Sequence, residues 1–96
     1  MTMENFIFTN ETNKENVSLS IEETAKILFN KLDAHFIYSI YIEIIYREKD
    51  EMSPHSDYFL AIVNDVPEKK YLIFPFDKEY IQNLNEIQIS EAIRFE

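Results

Sequence analysis

Two histidines, His35 and His55, are the only side chains of this chain suited to general-base work near neutral pH, and there is no cysteine to supply a thiolate. A hydrolytic triad would have to join one imidazole to a serine and a carboxylate from elsewhere, and no spacing in the sequence singles out such a set. His35 follows a run of helical periodicity, where an imidazolium interacts favourably with the last carbonyls, so a capping or packing role is expected of it. His55 lies between Glu51 and Asp57 and would build a mixed oxygen and nitrogen metal site only if its loop folded back on itself; a lone histidine in an acidic loop is ordinarily solvated. Paired carboxylates carry no specific signal, because 18 Asp and Glu in 96 residues bring some acids together without selection. The expectation is a binding protein rather than an enzyme, with no metal and no cofactor.

The chain contains no glycine. That excludes a phosphate-cradling P-loop, a dinucleotide-binding turn, a nucleophile elbow and a standard EF-hand loop, each of which needs glycine for positive φ or for close backbone approach. The missing cysteines exclude disulfides and thiolate metal sites and fit a reducing compartment. No basic start with a following apolar run and no apolar stretch of membrane-spanning length is visible, so a cytoplasmic location is expected. The triplets Asn10-Glu11-Thr12 and Asn16-Val17-Ser18 then have no glycosylation meaning.

Net charge is the strongest remaining signal. The acids oppose 9 Lys and Arg, for a formal charge of −9 and a pI near 4.6. Direct binding to nucleic acid or to an anionic membrane is disfavoured, and a basic protein is the natural complement. Surplus acid also keeps small proteins soluble, and that reading competes with the functional one. The candidate partner-binding residues are Glu48, Asp50, Glu51 and Asp57 around one loop, Asp65 and Glu68 at the next turn, and Tyr46 and Tyr58, whose rings would anchor an interface. Residues two apart on a strand are separated by roughly 6.6 Å, close to the phosphate spacing of a DNA strand, so a folded acidic surface can imitate a nucleic-acid backbone. Reversing the four loop acids to lysine is expected to slow association without disturbing the fold.

The elements that must position these residues follow from periodicity. Ser20-Ile21-Glu22-Glu23 has capping-box form and opens an amphipathic helix over 20–34, with Ile21, Ala25, Leu28, Phe29 and Leu32 on one stripe. Residues 36–47, FIYSIYIEIIYR, read as a long strand with Phe36, Tyr38, Ile40, Ile42, Ile44 and Tyr46 on one face; strands over 57–63 and 71–74 follow. Residues 4–9 form a possible first strand, Asp77 caps a short helix, and 86–96 favours a strand over a helical turn. The turns are expected to be long, because tight primed turns want glycine. The fold class is α+β: one amphipathic helix on a small antiparallel sheet, a meander of three strands with possible terminal strands, in a single domain spanning 1–96. Since successive meander turns lie at opposite ends of a sheet, the acids are expected to be spread over both.

In type rather than in motif, this short acidic glycine-free profile resembles small phage inhibitors of host defence, including anti-CRISPR and DNA-mimic proteins, and equally the immunity proteins that neutralise nuclease toxins. The resemblance implies a stoichiometric inhibitor whose partner is a nuclease or nucleic-acid-binding effector. A homodimer or assembly subunit, pairing through strand 36–47 or the C-terminal segment, is the reading from a different class.

Overall fold

A computed structural model describes residues 5–12 and 18–94. The elements are β1 (Phe6–Asn10), α1 (Ser18–His35), β2 (Ser39–Arg47), β3 (Tyr58–Asp65), β4 (Glu68–Pro75), α2 (Lys78–Gln82), α3 (Glu86–Ala92) and β5 (Ile93–Arg94). The strands form one sheet in the order β1-β2-β3-β4-β5. The α+β class and the three-strand meander β2-β3-β4 are as expected, but the sheet is mixed. β1 runs parallel to β2, with Phe6 beside Ile42 and Asn10 beside Tyr46, and a parallel neighbour requires a crossover, which α1 provides.

α1 buries Ile21, Thr24, Ala25, Leu28, Phe29 and Leu32 against Ile42, Ile44, Tyr46, Phe59, Ala61, Val63, Leu72 and Phe74 of the sheet. Thr24 is the one buried polar residue in that stripe, and its hydroxyl donates to the Ser20 carbonyl one turn back (2.8 Å). The helix begins two residues before the predicted capping box, so Ser20 sits within the first turns and does not terminate them. It is also accompanied by two short helices. Asp77 caps α2 as expected, its carboxylate accepting from the Tyr80 amide (3.1 Å).

The C-terminal segment departs from the strand reading. Asn85 and Gln88 form a reciprocal capping box that starts α3, and only Ile93 and Arg94 pair with β4. The alternation of Ile87, Ile89 and Ile93 is shared by both periods over so short a stretch; Ile87 is exposed and Ile89 buried. Residues 36–38 likewise fall outside β2, and one extra residue at Ile40 bulges the start of the strand, where Ser39 pairs with Asp65 and Tyr41 already with Asn64. The bulge and the preceding turn direct Ile37, Tyr38 and Ile40 outward, so of the predicted face Phe36, Ile42, Ile44 and Tyr46 reach the core and Tyr38 and Ile40 do not.

The β3–β4 connection is shorter than expected. Asp65 pairs directly with Glu68, leaving Val66 and Pro67 as a two-residue turn around a cis Val66–Pro67 peptide bond. A type VI turn reverses the chain without positive φ, and no described residue adopts positive φ. This reconciles a tight hairpin with a glycine-free sequence. No helix is long and apolar enough to cross a membrane among the described residues.

Candidate functional site

Tyr46 closes the core end of β2. Its ring packs with Phe59 (5.6 Å between centroids) and Phe76 (5.0 Å), and those two meet edge to face at 5.5 Å. The three rings form an apolar plug beneath the segment that joins β2 to β3. The Tyr46 hydroxyl emerges from this plug and donates to Asp57 Oδ2 (2.7 Å), while Asp57 Oδ1 accepts from the Lys49 amide (3.1 Å). On the other face of the sheet the Tyr58 hydroxyl donates to Asp50 Oδ2 (2.6 Å), and Asp50 Oδ1 accepts from the Met52 amide (2.9 Å). Asp50 and Ser53 exchange backbone hydrogen bonds (3.1 and 3.2 Å), and Ser53 Oγ donates to the Ser56 carbonyl (2.9 Å). The loop is thus braced by two tyrosine–carboxylate pairs and by its own turns.

This changes the role of four predicted partner-binding residues. Tyr46 and Tyr58 are 1 % and 0 % exposed, so their rings hold the fold and are not presented to a partner. Asp50 and Asp57 are the acceptors of their hydroxyls, and reversing them to lysine would strand two buried phenols; the expectation that all four loop acids could be reversed without harm does not survive. Glu48 and Glu51 point outward from the same loop and are exposed. Asp65 is half-buried and pairs with Lys70 (2.9 Å), beside an exposed Glu68, at the opposite end of the sheet.

Parallel β1 decides where the remaining acids gather. Because β1 and β2 point the same way, Glu11 leaves the sheet beside Arg47 and pairs with it (2.9 Å). α1 starts at this end, and Glu23 faces Lys78 at the start of α2 (3.8 Å). Phe76 donates its amide to the Asp57 carbonyl (2.9 Å), which brings Asp77 and Glu79 alongside the loop. Glu11, Glu23, Glu48, Glu51, Asp77 and Glu79 therefore converge on one pole with Asp50 and Asp57, opposed there by Arg47, Lys49 and Lys78. The meander turns do place acids at both ends, with Asp65 and Glu68 opposite the loop, as expected; the crossover adds Glu11 after β1 and Glu23 of α1 to the loop's end, which makes that end the richer one.

The brace has an electrostatic signature. The Tyr58 hydroxyl holds the Asp50 carboxyl below its ordinary value of 3.8 and is also the main reason Arg47 is raised. Burial first, and then the bonds to Asp57 and Asp50, push Tyr46 and Tyr58 above the ordinary phenol value of 10.0. Above that pH the unfolded chain releases phenolic protons that the folded chain retains, so this contribution to stability is complete below pH 10 and declines as pH rises. Tyrosinate absorbance from Tyr46 and Tyr58 is expected to appear together with alkaline unfolding, and Tyr46→Phe combined with Tyr58→Phe should flatten the decline. Ionisation of both phenols in the folded protein would show that they are not held as described.

His35 lies at the end of α1 with its ring edge-on to Phe36 (4.7 Å), and His55 is exposed in the loop. No group of three or more His, Asp or Glu placed to hold a metal occurs among the described residues. Beside His35, an apolar groove of about 490 Å³ separates α1 from α3, between Ile27, Ala34, Leu84 and Ile89. Lys31 crosses its edge to donate to the Gln82 and Leu84 carbonyls (2.8 and 3.2 Å).

Sequence reasoning missed one exposed feature. Ile37, Tyr38, Ile40 and Val66 are 70, 80, 56 and 58 % exposed, and the Ser39–Asp65 pairing places them together at the end opposite the acidic pole. Only the bulge reveals it. Compared with known proteins, the chain matches no family model, no curated protein and no solved structure.

Proposed function

We propose that this is a non-enzymatic inhibitor acting in the cytoplasm, which docks its acidic pole in the basic nucleic-acid-binding surface of a nuclease or related effector protein. The observation that supports the reading is the pooling of carboxylates on a braced pole. A surface whose charges are held before binding loses little conformational entropy on association, and one sign of charge steers encounter with a groove of the other. Glu48 and Glu51 are the residues nearest the centre of that surface that carry no structural duty. The finer reading is a DNA mimic of the phage anti-defence or anti-CRISPR type; immunity against a nuclease toxin uses the same surface and differs in having one dedicated partner.

The test is capture from a cell extract at low ionic strength, comparing the natural chain with the Glu48→Lys, Glu51→Lys double variant. A nucleic-acid-binding protein retained by the natural chain, released by salt or by duplex DNA and not retained by the variant, would agree with the proposal. A partner that resists salt and is captured equally by both would move the contact to the apolar end formed by Ile37, Tyr38, Ile40 and Val66, where recognition is insensitive to ionic strength.

A further inference from the structure

All the described helices lie on one side of the sheet. Their buried side chains join a single cluster with Ile42, Ile44, Phe59, Ala61, Val63, Leu72 and Phe74, and none joins the second cluster of Ile45, Tyr58 and Leu60 with Ile62, Tyr71 and Ile73 on the other side. That second face is apolar at its centre, where Ile45, Tyr58 and Leu60 are closely packed and Ile62, Tyr71 and Ile73 keep partial exposure, and it has no described helix over it. With strands about 4.8 Å apart and about 3.3 Å per residue, β2 to β5, of which β5 is only two residues long, offer roughly 430 Å² in each copy, or roughly 850 Å² for two, the size of a weak and reversible contact.

The charges on this face follow the register. One row across the sheet reads Glu43, Ile62, Tyr71, Arg94, from β2 through β3 and β4 to β5. It has opposite charges at its two ends and apolar residues between. Within one copy Glu43 makes no ion pair with another described residue, and Arg94 donates from Nη1 only to the Glu91 carbonyl (3.1 Å). Consider two such faces stacked about 10 Å apart and related by a two-fold axis parallel to the strands, above the seam between β3 and β4. The axis exchanges β3 with β4 and β2 with β5 and leaves each row level. Glu43 then lies opposite the partner's Arg94, Ile62 opposite the partner's Tyr71, and Leu60 opposite the partner's Ile73. An axis perpendicular to the strands would set Glu43 against the partner's Glu43, which is repulsive.

We infer that the open sheet face is a two-fold interface with a second copy of this chain, its register selected by the Glu43–Arg94 pairs. The net charge of −9 does not oppose this at the contact itself, because Arg47, paired with Glu11, and Lys69 and Arg94 lie on this face against Glu43 and the Asp50 carboxylate at its rim. The same symmetry sets the two acidic poles side by side at one end, so the dimer would present a doubled acidic surface. β2 is paired on both sides, by β1 and β3, so this interface is sheet face on sheet face and not the pairing through strand 36–47 that the sequence suggested.

Light scattering and sedimentation at physiological salt, from micromolar to millimolar protein, test the inference. The expected mass is twice 11.5 kDa. Glu43→Arg and Arg94→Glu each should weaken the dimer about tenfold, two exposed ion pairs being lost in each case, while circular dichroism and thermal unfolding of the monomer stay unchanged. The combined variant should restore the natural dimerisation. A monomer at every concentration, or a combined variant no tighter than the single ones, would overturn the inference.

Discussion

Asp57→Ala is expected to destabilise the protein by about 2 to 3 kcal/mol, because it removes a charged acceptor from the Tyr46 hydroxyl and from the Lys49 amide together. The melting temperature should fall by roughly 10 to 20 °C for a domain of this size. Tyr46 is 1 % exposed, so its hydroxyl has no ready access to replacement water, which is what makes the loss large for a residue in a surface loop. Asp57→Asn keeps one acceptor oxygen and should lie between. Tyr46→Phe, which deletes donor and demand together, should cost only about 1 kcal/mol. Chemical denaturation of the three variants checks the order. An Asp57→Ala loss within the roughly 0.5 kcal/mol scatter of ordinary surface substitutions would mean that the loop is not held from this residue.

The second large effect concerns association. Glu48→Lys together with Glu51→Lys moves the net charge from −9 to −5 and inverts the sign of the two loop side chains that face solvent. Against a basic partner the association rate at low ionic strength should fall by about tenfold or more, with dissociation little altered, and the difference should shrink as salt is added. Stability should stay within about 0.5 kcal/mol of the natural protein, since neither side chain makes a described contact that the fold uses. Stopped-flow or surface-based kinetics with the captured partner reads both rates. An association rate indifferent to the substitutions and to salt would leave the acidic pole without a role in recognition. The contrast with Asp57→Ala is informative: one change removes charge that the fold needs and the other removes charge that it does not.

How far the candidate site was legible can be judged residue by residue. The loop between the second and third strands stood out as an acidic cluster, and it does occupy the centre of the acidic pole. Composition could not say which acids in it were already engaged. Asp50 and Glu51 are neighbours of the same charge, yet one accepts from a buried tyrosine and the other faces water, and only the opposite register of Arg47 with Tyr58 settles the difference. Tyr46 and Tyr58 were picked as interface anchors because aromatic rings among acids suit interfaces; the same two properties suit a ring that packs inside and a hydroxyl that bonds a carboxylate at the rim. The Asn85-x-x-Gln88 capping box was a readable signal for α3, outweighed by an isoleucine alternation too short to distinguish the two periods.

From the chain alone came the elements and their chemistry of exclusion: a helix whose stripe from Ile21 to Leu32 is buried, three successive strands rich in β-branched and aromatic residues, and no glycine with which to build the common phosphate-binding loops. These are local properties, set by side-chain branching, by period and by the φ a residue can adopt. Tertiary structure alone decided that β1 lies parallel to β2, that the acids of four separate segments meet at one end, and that the described helices all pack on one face, away from Ile45, Tyr58 and Leu60. Those outcomes depend on which strands pair and on which side the crossover passes, and residues far apart in the chain leave no mark of that choice in any single stretch of it.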